Sequence, residues 1–382
     1  MIYLDNASTS WPKPLQVISA ITECITKTGA NPSRSAHVMS IEAARVLLSV
    51  RTTVAGFFGI SDPLRVVFTH NITHAINTVL QGYLQSGDHV LTTGMEHNSV
   101  VRPLRHLESM GINLTFVKCS GTGLLDPDDF ESALTFNTRL IVINHSSNVC
   151  GTTQPVREIG AFARKHGLLL LLDTAQSAGS IPVNMEELNT DIITFTGHKG
   201  LLGLAGTGGI VFGSRVDIHE IRPLVMGGTG SRSEYEHHPE FLPDRFEAGT
   251  SNIAGLAGLK AGISFIMSDD NIQSIKRKLA ERLVSGLRKI DGISIQGCPE
   301  NSDSTPVISL IVEGVSNSDI AGILDERFGI ACRVGLHCAP CAHRTLGTFP
   351  DGTVRLSPGP FNTIKEIDTT IDAVRLIAER RI

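Results

Sequence analysis

Membrane-length hydrophobic runs are missing from this 382-residue chain. The longest unbroken run of apolar side chains is Leu168 to Leu172, against the roughly 20 residues that a membrane helix needs. A surplus of one charge is missing too. The 33 Lys and Arg nearly balance the 38 Asp and Glu, for a net charge of -5, and no five like charges run together. A nucleic-acid or membrane-surface role therefore has no electrostatic support. Met1 to Asp5 lacks a basic region followed by an apolar block, so no secretory signal is expected. Cysteine is present in an odd number, seven, at positions 24, 119, 150, 298, 332, 338 and 341. In a chain this long that argues against a disulfide scaffold and for a reduced, cytoplasmic protein.

What is present describes a folded chain. Hydrophobic residues make up 41% and charged residues 19%, an ordinary globular balance. Seven short apolar runs punctuate the first two thirds: 65–69, 89–92, 112–117, 140–143, 168–172, 192–195 and 209–212. Several are continuous rather than alternating, as strands buried on both faces are. Helix-like stretches such as Val156 to His166 lie between them, so the pattern predicts an α/β fold with a mainly parallel seven-stranded sheet. Beyond about residue 255 a long helical region runs to about Ile290. Short runs at 293–295, 306–312, 331–334 and 353–357 follow, with helices near 316–328 and 363–381. The expected organisation is an extended lead-in over 1–15, a large domain over 16–255 and a smaller α+β domain over 256–382.

Polar and ionisable residues follow the apolar runs. Lys199, in Thr196-Gly197-His198-Lys199-Gly200, comes just after one such strand. Desolvation there suits Schiff-base chemistry, although a glycine-rich turn can carry a surface lysine. Asp173 ends another run and is followed by Thr174, Ala175 and Gln176. A carboxylate there would keep the ring nitrogen of pyridoxal phosphate (PLP) protonated, or would simply cap a helix. Thr69 to His74 opens a helix whose free N–H groups suit a phosphate. His97 and the segment Asn144 to Asn148 follow two further strands, and His97 could stack on an aromatic cofactor or be structural. Parallel sheets place ligands at this carboxyl edge, and the convergence outweighs any single motif.

Near the C-terminus stands Ala331-Cys332-Arg333-Val334-Gly335-Leu336-His337-Cys338-Ala339-Pro340-Cys341-Ala342-His343. Cys338, Cys341, His337 and His343 could bind zinc. Cys338 and Cys341 could form a thioredoxin-type pair. The thiols could also be incidental. The polar loop Gly227 to Ser233, with Tyr235 to His238 behind it, reads either as a loop near a dimer interface and active site or as a mobile surface loop.

Taken together these residues resemble the class V aminotransferase family of fold-type I PLP enzymes, in its Suf-type cysteine desulfurase and selenocysteine lyase branch. The resemblance runs nearly end to end. It covers Tyr3 to Ala7, Asn31 to His37, Phe68 to Asn77, Glu96-His97, Ser147 to Gly151, Asp173 to Gln176, Gly197 to Lys199, Phe246 to Thr250, Arg333 to Cys338 and Arg355 to Ser357. The resemblance implies that Lys199 carries the cofactor, Asp173 pairs with the pyridine nitrogen and His97 stacks on the ring. Gln176 would approach the phenolic oxygen, and Asn148 would lie beside ring and substrate. Thr73, Thr196 and His198 would hold the phosphate with His74 adjacent, and Thr250 would reach the phosphate of a partner in a homodimer. Arg355 would clamp the substrate carboxylate, with Arg333 nearby. Cys338 would take sulfur from L-cysteine as a persulfide, leaving alanine, and pass it to a sulfur-acceptor protein. The implied alternatives are selenocysteine lyase, a transaminase or an epimerase; a silent scaffold or thiol-redox partner would have no need of Lys199 and Asp173. Cys341 departs from the family pattern and could be inert, accept sulfur or close a disulfide. No metal is expected.

Overall fold

The computed structural model describes residues 1–32, 37–269, 271–297 and 304–381. Cys298 and positions 33–36 of the Asn31 to His37 stretch lie outside the described residues. The chain opens with β1 (Ile2–Tyr3), α1 (Leu15–Lys27) and α2 (Val38–Phe58). The large sheet then comes from β2 (Val66–Thr69), β3 (His89–Thr93), β4 (Asn113–Val117), β5 (Thr138–Asn144), β6 (Leu169–Asp173), β7 (Ile192–Thr196) and β8 (Gly208–Phe212). Between them run α3 (Ile72–Tyr83), α4 (Asn98–Ser109), the short α5 (Asp129–Ala133) and α6 (Val156–Lys165). The spatial order is β2-β8-β7-β6-β5-β3-β4. β8 is antiparallel to both neighbours, while the neighbouring pairs among β3 to β7 are parallel. Hydrophobic pattern encodes burial but not strand direction, which is why the reversal of β8 was not legible.

Alternate residues of each strand point to opposite faces, and the core divides accordingly. Leu91, Ile141, Ile143, Leu170, Leu172 and Phe195 pack on one face. Val90, Leu140, Val142, Leu171 and Ile192 pack on the other, against α3 and α4. Each such Leu, Ile or Val contributes about 1.5–3 kcal/mol when fully buried, so the middle strands are apolar on both faces.

The long helical region after β8 divides into α7 (Ile253–Met267) and α8 (Asn271–Leu287). Leu256, Leu259, Ile263 and Ile266 of α7 belong to the first core. The chain therefore changes cores after α7, later than the pattern break near residue 255. The second core is built on a four-stranded sheet of order β12-β13-β10-β9, from β9 (Ile293–Gln296), β10 (Ile308–Val312), β12 (Arg333–Gly335) and β13 (Thr353–Leu356). With it pack α8, α9 (Asn317–Phe328) and α11 (Ile364–Ala378), and α10 (Pro340–Thr345) follows β12. The run at 331–334 splits at Cys332: β11 (Ile330–Ala331) pairs with β1, and β12 pairs with β13. Leu4, next to β1, is fully buried in this second core, so the first residues of the chain are held beside its end.

Candidate active site

The strands β2, β3, β5, β6 and β7 end on Thr69, Thr93, Asn144, Asp173 and Thr196, and all five are at least nine-tenths buried. The sheet thus presents polar groups along its carboxyl edge. Asp173 Oδ1 accepts from Ala175 N–H at 2.8 Å. Burial raises its pKa, against the opposing pull of that N–H and of Lys199. Lys199 follows β7, and burial, reinforced by Arg355, pushes its ammonium down to about 8; Asp173 pulls the other way. His97 caps α4, its Nδ1 accepting from Ser99 N–H at 3.0 Å. Burial, with Lys199 next in effect, lowers the imidazole to about 4, so the ring is neutral at physiological pH. His198 is lowered to about 4 by burial and then Lys199. The backbone carbonyl of His198 accepts from Ser10 N–H at 3.0 Å and Lys13 Nζ at 3.0 Å, tying this turn to the first residues of the chain.

At the next strand end, Asn71 caps α3 by accepting from His74 N–H at 2.9 Å. Thr73 is exposed; the His74 ring stacks on His70, centroids 5.7 Å apart, and is lowered chiefly by burial. A Cβ on Gly208 would meet the Asn71 backbone at 2.8 Å. Glycine there allows the start of α3 to approach β8.

The second core contributes a loop. Arg333 and Arg355 are register partners on β12 and β13. The carbonyl of His337 accepts from Asn148 Nδ2 at 2.7 Å, and that of Cys338 accepts from Asn98 N–H at 2.8 Å. The loop is thereby bonded to the segments after β5 and β3. Its backbone is left-handed at Gly335, His337 and Cys338, with φ of 96°, 47° and 59°. Two consecutive non-glycine residues there carry strain that the surrounding bonds must hold. Cys338 is exposed, and Arg333 Nη2 lies 3.7 Å from its Sγ.

His337 Nε2 meets Thr353 Oγ1 at 3.1 Å and His343 Nδ1 meets Thr348 Oγ1 at 2.6 Å. Among the described residues no three His, Cys, Asp or Glu side chains converge as a metal would require. Cys338 and Cys341 are both free thiols, Cys341 lying in the first turn of α10.

The structure therefore groups Lys199, Asp173, His97, Asn148, Arg333, Arg355 and Cys338. Gln176 is buried, with Nε2 donating to Ala7 O at 3.0 Å. Thr250 is exposed on a segment anchored by Glu247, which accepts from Phe68 N–H at 2.6 Å. The loop 227–233 packs beside it: Gly249 N–H donates to Gly228 O at 2.8 Å, and the Arg232 guanidinium lies over Phe241.

Three participants had no assigned role in the sequence. Asp5 and Ser8 bond to Arg355 at 2.9 and 2.8 Å. Glu96 is fully buried; burial raises its carboxyl to about 8, although Thr93 and Asn144 both donate to Oε1. Asp5 and Glu96 both fall in stretches that carried the resemblance, which was the available signal.

An aminotransferase class-V family model matches residues 2–370. A probable cysteine desulfurase of Methanothermobacter thermautotrophicus is 38% identical over 99% of this chain and 94% of its own. A cysteine desulfurase of Haloferax volcanii is 33% identical over 98% and 88%. Among solved structures, the apo cysteine desulfurase of Thermococcus onnurineus superposes with a TM-score of 0.93 at 32% identity, covering 99% of this chain and 95% of that one. An Escherichia coli cysteine desulfurase does so at 0.89 and 28%, covering 99% and 94%. No helix of the described residues is long and apolar enough to cross a membrane.

Proposed function

The chain belongs to the aminotransferase class-V family, and on that premise we propose that it is a PLP-dependent cysteine desulfurase. It converts L-cysteine to L-alanine and holds the sulfur as a persulfide on Cys338. One observation carries this reading. The exposed Cys338 thiol lies 3.7 Å from Arg333, on a loop bonded to Asn148 and Asn98 beside the crevice of Lys199 and Asp173. A transaminase or epimerase has no use for such a thiol.

The residues fit PLP. Asp173 is a buried carboxylate for a ring nitrogen, and His97 is a neutral ring for stacking. Thr196 Oγ1 and Asn148 Oδ1 are buried without partners among the described residues, as atoms reserved for a ligand would be. In this reading Lys199 bonds the cofactor and Gln176 and Asn148 flank it. Thr73, His74, Thr196 and His198 hold its phosphate, and Thr250 serves the partner's phosphate in a homodimer. Bound there, PLP supplies the electron sink that stabilises negative charge at the substrate Cα.

The chain's own groups do the rest. Arg355 receives the substrate carboxylate. Lys199 Nζ, lowered to about 8, exchanges a proton at Cα near neutral pH. Arg333 presents positive charge to the Cys338 thiolate. The Cys338 Sγ bonds to the substrate sulfur as the substrate C–S bond breaks; cysteine plus thiol becomes alanine plus persulfide. Exposure of Cys338 suits transfer to an acceptor protein, and a reducing cytoplasm keeps the thiol available.

Cys338→Ala tests the assignment. Incubation with cysteine, measuring alanine, sulfide and protein-bound persulfide together, should show cysteine turnover stopped and PLP absorbance intact. Full alanine production by that variant would refute the role of Cys338.

A further inference from the structure

Arg355 is 1% exposed, and its donors are unevenly used. Nη1 donates to Asn148 O at 2.9 Å. Nη2 donates to Asp5 Oδ1 at 2.9 Å and Ser8 Oγ at 2.8 Å, which commits both of its hydrogens. Nε is buried and has no hydrogen-bond partner among the described residues. The Ser8 hydroxyl is saturated as well. It donates to Asp5 Oδ1 at 2.7 Å and accepts from Arg355 and, at 3.0 Å, from Arg333 Nη1. Asp5 is delivered by the opening segment, which pairs with β11 and bridges to Ser357, two residues beyond Arg355.

A carboxylate binds a guanidinium best through two parallel bonds. The edge formed by Nε and Nη2 offers such a fork, with Nε idle and Nη2 shared between the Asp5 carboxylate and the Ser8 hydroxyl. We propose that Asp5 stands in the seat of the substrate's α-carboxylate. An arriving α-amino acid takes Nε and Nη2 of Arg355 by exchanging with Asp5, which makes Asp5 a specificity-determining positioning residue. The inference rests on the reading above that Arg355 receives the substrate carboxylate. Until exchange, Asp5 keeps a desolvated guanidinium charged and oriented. Amines without a carboxylate cannot displace it. Ser8, shared with Arg333, links the exchange to the arginine beside Cys338.

The test is calorimetric titration of holoenzyme with L-alanine and, as the carboxylate-free control, L-alaninamide. Removing the resident charge should tighten L-alanine binding about three- to tenfold in Asp5→Asn, leave L-alaninamide unchanged, and lower KM for cysteine in parallel. Asp5→Ser should move the same way, so misfolding of one neutral variant does not remove the test. Asp5→Glu, which keeps a competing carboxylate, should stay near wild type. Unchanged or weaker L-alanine binding in both neutral variants would overturn the proposal. Alanine formation from cysteine by the wild type reports separately: its absence would sink the desulfurase reading, while the alanine-to-alaninamide comparison still decides the role of Asp5.

Discussion

Replacing Glu247 with Ala should destabilise the chain sharply, because Glu247 neutralises a buried arginine. Arg51 is 4% and Glu247 11% exposed. Arg51 Nη1 donates to Glu247 Oε1 at 2.7 Å, Nη2 donates to Oε2, and Phe68 N–H donates to Oε1 at 2.6 Å. The variant leaves the guanidinium with the Val66 carbonyl, the Phe68 ring face and no counter-ion among the described residues. Breaking such a pair costs about 3–5 kcal/mol. For 382 residues, an unfolding entropy near 2.1 cal/mol/K per residue gives about 0.8 kcal/mol/K, so Tm should fall by about 4–6 °C. Scanning calorimetry at fixed protein and PLP concentrations measures this. Arg51→Ala should cost a similar amount, and the double variant much less than the sum of the two. A fall under about 1 °C for Glu247→Ala, or strict additivity in the double variant, would refute the reasoning. Because Glu247 also anchors the Thr250 segment on β2, retention of PLP should weaken together with Tm.

Two further outcomes follow from the charges in the crevice. The folded Glu96 carboxyl titrates at about 8 rather than 4.5, so between those values the native state binds more protons than the unfolded chain and its stability falls as pH rises. Glu96→Gln should flatten that decline, with a gain on the order of 3 kcal/mol at pH 7; denaturation midpoints at pH 5 and 7 that shift equally would exclude it. Arg333→Leu removes the positive group 3.7 Å from Cys338 Sγ, and iodoacetamide alkylation of Cys338, followed by peptide mass spectrometry, should slow about three- to tenfold; an unchanged rate would place the activating charge elsewhere.

Much of the large sheet was legible because its strands are buried on both faces. The run Leu168 to Leu172 corresponds to β6 within one residue, and Asp173 closes that strand. A polar residue terminating an apolar run has few other places to go, so the carboxyl edge could be read from order alone. Strand direction could not, since β8 carries the same apolar pattern whichever way it runs. The division of the 331–334 run was hidden for a related reason. β1 and β11 are two residues each, too short for periodicity, and their pairing spans almost the whole chain.

The sequence by itself determined the chemistry that is available: a lysine and a carboxylate after successive apolar runs, a histidine after another, two arginines near the C-terminus and a cysteine in a glycine-led loop. These follow from local pattern, because burial dictates where apolar runs stop and ionisable groups begin. Only the tertiary structure decided which charges meet. Asp5 reaches Arg355 across 350 residues, Glu247 neutralises Arg51 across 196 residues, and Arg333 stands opposite Arg355 because β12 pairs with β13. Those encounters depend on how two cores and the opening strand pack together, and the resulting desolvation brings Glu96 to about 8. No run of neighbouring residues encodes that burial.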